Sequence, residues 1–203
     1  HFSDNDTLYI LGDTVDRGSD GLRVLLDAAS RQNVILLRGN HEQAALELLP
    51  HDPDNEPMPV KLFNRWHEWM EDGGDRTYRA FWNRSDAVRD RVLRILGSLP
   101  VYAEVQVGGR RFFLAHTVPE KRRMRHPEKC RVCDFLTGEP EYEVRYDPDR
   151  FIVTGHTVTS LIDGAFRGRI WHGSGHIAID CGAVYSGVLG CLCLDTLEEF
   201  YVE

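Results

Sequence analysis

The chain has 203 residues, 42% hydrophobic and 28% charged, and its 24 lysines and arginines face 32 acids for a formal net charge of −8. That length sets the expectation of a single domain over 1–203 with a real core, and the acidic balance argues against a general nucleic-acid binder, which needs a basic face to release counterions. No apolar run approaches the roughly 18 residues needed to span a bilayer, and with no export signal in the chain as given, the five cysteines read as reduced thiols of a cytoplasmic protein.

In chain order, residues 7–11 read as a short strand. Ser19 or Asp20 can cap a helix through Gln32, with Leu22, Leu25, Leu26 and Ala29 on one face. Residues 34–37 are a second strand, apolar throughout and suited to a sheet covered on both faces. Residues 41–49 read as helix, with Ala44, Ala45, Leu48 and Leu49 available for packing. The four prolines and several acids of 50–59 make an exposed loop. An aromatic helix over 63–70 is interrupted by Gly73-Gly74, and helices follow over 77–82 and 85–96. The last of these turns Val88, Val92, Leu93, Ile95 and Leu96 inward. Strands over 102–107 and 111–115 flank Gly108-Gly109, a hairpin signal. Residues 120–143 are polar and weakly patterned. A strand over 151–154 ends at Gly155-His156, and 159–168 reads as loop. Residues 169–171 read as a short strand, and strands over 176–180, 188–194 and 198–202 suggest a closing antiparallel meander.

Two of these strands run out into turns rich in chemistry. Gly12-Asp13-Thr14-Val15-Asp16-Arg17-Gly18 follows the first, and Gly39-Asn40-His41-Glu42 follows the second after Arg38. An open α/β sheet builds its site at the carboxyl ends of its strands. The two turns supply carboxylates, a carboxamide, an imidazole and two guanidiniums, the inventory of metal-assisted phosphoester hydrolysis.

The order GDxVDRG then RGNHE resembles the second and third signatures of the phosphoprotein phosphatases, within the calcineurin-like metallophosphoesterases. Leu114-Ala115-His116 and Thr154-Gly155-His156-Thr157 resemble the segments that carry that family's remaining ligand histidines. With Ile179-Asp180-Cys181-Gly182-Ala183, the pattern is similar to bacterial or phage serine/threonine protein phosphatases. The resemblance implies an α/β fold, a four-layer α/β/β/α sandwich, and two divalent metal ions, Mn or else Fe or Zn. It implies Asp13 as bridging ligand, with Asn40, His116 and His156 on the second metal. By the same resemblance His41 protonates the leaving oxygen, Asp16 orients it, and Arg17 and Arg38 clamp the phosphate with their planar forks. The family normally opens with a strand ending in Asp-x-His-Gly. Nothing here matches it, so the sequence reads as N-terminally incomplete by roughly one βα unit.

The leading expectation is therefore a metal-dependent phosphatase acting on a phosphorylated protein or a small phosphoester, with no nucleic-acid or membrane partner. A hydrolase of symmetrical diadenosine tetraphosphate or another nucleotide is the first alternative. A non-catalytic module of the same fold, suggested by the absent Asp-x-His, is the second. Gly73-Gly74-Asp75-Arg76-Thr77, after Trp66 and Trp69, reads either as part of the pocket mouth or as a capped helix break. His172 and His176 read as satisfied or solvent-facing, and the two thiols of Cys130-Arg131-Val132-Cys133 as a loop rather than a zinc site, which needs four ligands. The run Lys121-Arg122-Arg123-Met124-Arg125 reads as solvated surface able to attract an anion.

Overall fold

The computed structural model describes residues 2–53 and 55–203. The expectations that touch His1, at the start of the chain, and Asp54, within the 50–59 loop, lie outside the described residues. The chain divides into two compact units, His1–Pro100 and Val101–Glu203.

The first unit is built on two parallel strands, β1 (Leu8–Ile10) and β2 (Val34–Leu36), in the register Leu8↔Val34. The helix between them, α1 (Gly21–Ala28), makes a β-α-β crossover. It is shorter than the expected reach to Gln32, and Ala28 takes the buried place expected of Ala29. Asp20 stands at its N-cap without a side-chain cap bond. Then follow α2 (Asn40–Leu48), α3 (Val60–Trp69), a π-helical turn over Met70–Gly74, α4 (Asp75–Trp82) and α5 (Asp86–Ser98). Their apolar faces meet in one core. Leu22, Leu25, Ala45, Leu48, Leu49, Phe81, Val92 and Leu96 are all buried there. Each such Leu or Phe contributes on the order of 2 kcal/mol of transfer free energy.

The second unit holds a five-stranded mixed sheet. In chain order its strands are β3 (Tyr102–Val107), β4 (Arg110–Ala115), β5 (Arg150–Thr154), β6 (Trp171–His172) and β7 (His176–Ala178), and in space they run β3-β4-β5-β7-β6. Strands β3 and β4 form the expected hairpin, turned by Gly108 and Gly109 with φ of 56° and 74°. Strand β4 pairs parallel with β5, and β5 parallel with β7. Phe112, Phe113 and Ala115 on β4 are wholly buried, as fits a strand inside a sheet. Between β4 and β5 lie α6 (Lys121–Met124) and two short 3-10 turns. Within 159–168, expected as loop, a four-residue helix α7 (Thr159–Ile162) and a 3-10 turn form instead.

The closing meander is not a meander. Strand β7 inserts between β5 and β6, and after α8 (Ala183–Ser186) the strands β8 (Leu189–Leu192) and β9 (Glu199–Val202) pair only with each other. Alternation gives that ribbon two faces. Leu189 opposite Val202 and Cys191 opposite Phe200 make an outer face with no polar side chain, and all four are exposed.

Candidate active site

Both motif turns leave the carboxyl ends of the parallel strands of the first unit. The backbone is strained there. Asp13, Asp16 and Arg17 have φ of 55°, 69° and 54°, in the left-handed region that side chains disfavour, and His156 in the second unit has φ of 65°. Leu197 is the fifth such non-glycine residue among the described ones. Strain of this kind persists only where the surroundings over-determine it, and it clusters at functional sites.

Glu42 supplies much of that determination. Its wholly buried carboxylate accepts the N–H groups of Asp13 (2.7 Å) and Gly39 (2.8 Å) on one oxygen. On the other it accepts Thr14 N–H (2.6 Å), Thr14 Oγ1–H (2.8 Å) and Val15 N–H (3.3 Å). One side chain thus ties the first motif to the start of α2. Sequence reasoning gave Glu42 no role, although the acid three residues after the Gly39 N-cap is a capping-box signal.

Asp16 and His41 come together in a buried pair. His41 Nδ1 lies 2.7 Å from Asp16 Oδ2, which also accepts the indole N–H of Trp69 at 2.7 Å. The Asp16 N–H is held by Thr77 Oγ1 at 2.8 Å. With Nδ1 donating to the carboxylate, His41 Nε2 is the nitrogen left for chemistry. It lies 4.0 Å from Asp13 Oδ2 and 3.6 Å from Asp72 Oδ2. Burial by itself would lower the His41 pKa. The hydrogen bond to Asp16 and the charges of Asp13 and Asp16 outweigh it, against some opposition from Arg17, so the imidazole is held above its ordinary value.

Arg17 is fixed by the π-helical turn. Its N–H donates to Gly73 O (3.0 Å), and its Nη2 and Nε donate to Asp72 Oδ1 (2.8 Å) and Asp72 O (3.3 Å). Gly73 has φ of 97°, and a Cβ there would stand 2.6 Å from Arg17 Cγ. The Gly-Gly segment is therefore both a helix break and a support for the first motif. Trp69, Asp72 and Thr77 were not singled out as site residues from sequence. Asn40 opens α2, and a cleft of about 200 Å³ is lined by Asn40, His41, Trp69 and Asp72 among others. Arg38 is turned elsewhere, donating to Gln43 Oε1 at 3.0 Å and Gly97 O at 2.9 Å.

In the second unit, β4 and β5 run parallel with Ala115 opposite Thr154, and His116 and His156 follow just beyond their carboxyl ends. His116 Nε2 and His156 Nδ1 are 2.9 Å apart. Thr117 and Val118, which follow His116, are wholly buried, and Val118 belongs to that unit's core. His176 is buried with Nε2 2.9 Å from Thr154 Oγ1 and its Nδ1 without a hydrogen-bond partner among the described residues, so it is only half satisfied, and His172 Nε2 lies 2.6 Å from Glu199 Oε1.

The family model for calcineurin-like phosphoesterases matches residues 1–160. The chain belongs to that family. The phosphoesterase shares its mixed α/β fold with a crystal structure described as a putative diadenosine tetraphosphatase, at TM-score 0.63 and 16% identity, covering 97% of this chain and 80% of that one. A hypothetical protein from Pyrococcus horikoshii OT3 aligns at TM-score 0.47 and 14% identity, over 98% of the phosphoesterase and 74% of that chain. No curated protein sequence gives a significant match. The family's chemistry is metal-dependent hydrolysis of phosphoesters, small or protein-borne. Among the described residues, no helix of the phosphoesterase is long and apolar enough to cross a membrane.

The residues present fit divalent metal. With metal–nitrogen bonds of about 2.0–2.1 Å, two imidazoles on one ion hold their nitrogens roughly 3 Å apart, close to the His116–His156 separation. Carboxylate, amide and imidazole donors suit hard or borderline divalent ions.

Proposed function

We propose that this calcineurin-like phosphoesterase is a serine/threonine protein phosphatase that uses water activated by a pair of divalent cations, Mn²⁺ or else Fe or Zn²⁺. Asp13, Asn40, His116 and His156 would hold the cations, with Asp13 shared between them. The cations would lower the pKa of bound water and neutralise phosphate oxygens. The chain's own groups do the rest. His41 holds the proton at Nε2 that the leaving oxygen takes up. Asp16 and Trp69 fix the ring through Nδ1 and stabilise its charged form. Arg17 offers a planar fork to the phosphate, and Arg38 joins it by releasing the Gly97 carbonyl.

The observation that carries the reading is the buried His41–Asp16 pair, 2.7 Å apart, in a backbone held left-handed at Asp13, Asp16 and Arg17. Asp13→Asn is expected to lower hydrolysis of p-nitrophenyl phosphate by about 100-fold or more, the scale of a lost catalytic-metal interaction, while the thermal midpoint stays nearly unchanged. Unaltered turnover in that variant would refute the assignment. The name of the structural neighbour supports a second reading, hydrolysis of symmetrical diadenosine tetraphosphate. Turnover of a phosphoserine peptide and of diadenosine tetraphosphate, measured side by side with Mn²⁺, separates the two. Metal content below one equivalent per chain after loading would favour a non-catalytic module.

A further inference from the structure

The basic run at 121–125 is not uniform surface. Arg123 turns inward and grips the buried carboxylate of Asp134, which also accepts Arg131 N–H at 2.7 Å. Met124 is buried in the second unit's core, and Arg122 points out, 3.9 Å from Glu120. Lys121 and Arg125, four positions apart and so on one side of this turn, face a cleft of about 500 Å³. Arg145, Arg150 and Asp147 line it as well, and Met124, Tyr146 and Ile152 are its apolar lining.

The charge of this cleft is unbalanced. Arg150 is matched by Glu104 at 2.9 Å and Asp147 at 3.2 Å. Lys121, Arg125 and Arg145 take part in no ion pair among the described residues, although Glu141 sits at the rim, accepting Lys121 N–H at 2.9 Å. Arg145 donates only to the Pro148 carbonyl, at 2.7 Å. In a chain of net charge −8, these four cations against three acids leave a local surplus of one positive charge, opposite in sign to the whole. The cleft is also remote from the phosphatase chemistry within its own unit. Of its lining residues on β5, Arg150 opens the strand and Ile152 stands four residues before His156, about 13 Å away at ~3.3 Å per residue.

We propose that this cleft is a second binding site, for a small phosphorylated molecule whose phosphate lies among Lys121, Arg125 and Arg145 and whose apolar body covers Tyr146 and Ile152. A dianionic phosphate suits three cations that line one cleft. A cleft of this volume matches a ligand of nucleotide size or smaller. The assignment does not depend on the catalytic reading.

Calorimetric titration of the full chain in EDTA, with phenyl phosphate and separately with inorganic phosphate, tests it. Phenyl phosphate is expected to bind at one site per chain, more tightly than inorganic phosphate, with an affinity that falls as salt rises. The double variant Arg125→Gln/Arg145→Gln should weaken it about tenfold or more, while Arg122→Gln and Arg17→Gln leave it within about twofold. A circular dichroism melt establishes that each variant is folded. The proposal fails if phenyl phosphate does not bind, if Arg17→Gln abolishes binding while the double variant does not, or if Arg122→Gln weakens it as much as the double variant.

Discussion

Removing the Glu42 carboxylate, which holds four backbone N–H groups, leaves four buried or half-buried donors without that partner. Glu42→Ala is therefore expected to cost about 3 kcal/mol or more, read as a fall in the urea midpoint, and to relax the left-handed turn at Asp13. A variant as stable as the parent would show that the two motif turns hold themselves. Asp72 is a different case. Its carboxylate takes the same Arg17 donors that a phosphate would use, and it is half exposed. Solvent screening keeps such a contact weak, so Asp72→Asn is expected to lower KM for p-nitrophenyl phosphate by about two- to fivefold with kcat little changed. A raised KM would instead make Asp72 a positioning residue for Arg17. Asp13, Asp16, Asn40 and His41 could be singled out from sequence because the motifs are local. Trp69 and Thr77 were legible only as part of a segment at the pocket mouth; their contacts with Asp16 were not, because they reach it across 53 and 61 positions of chain.

The same division by range governs the elements. The β1-α1-β2 crossover and the β3–β4 hairpin were legible because periodicity and Gly-Gly turn chemistry act over a few residues. The place of β7 was not. An apolar segment pairs as well with a parallel neighbour as with an antiparallel one, and the choice of β5 is made by long-range packing. That insertion has a consequence for acid stability. His176 opens β7 in a buried setting, and burial drives its pKa from the ordinary 6.5 down to about 4. Between those values the unfolded chain binds a proton that the folded chain refuses. Stability should fall as pH drops through that window, by on the order of 3 kcal/mol in all, and level off below it. Above pH 6.5 this histidine contributes no slope. Urea denaturation across the window is expected to show a shallower decline for His176→Gln. Equal slopes would assign the acid sensitivity to other groups.

At the scale of the whole molecule, the family was legible in full from two motifs and two histidine segments, all inside the matched residues 1–160. The β8–β9 ribbon lies beyond them, and composition gave no warning of its outer face, since alternating residues are averaged away in a percentage. Leu189, Cys191, Phe200 and Val202 form an exposed hydrophobic stripe. At neutral pH the net charge of −8 keeps such stripes on different molecules apart. Acid titrates that repulsion away and leaves the stripe unchanged. Light scattering should therefore rise on acidification, and Phe200→Glu should suppress the rise. Scattering unaffected by that substitution would place the sticky surface elsewhere. Handling follows the same logic: Cys191 sits within the stripe, so molecules that adhere there bring two thiols face to face, and air alone could turn a passing encounter into a covalent dimer.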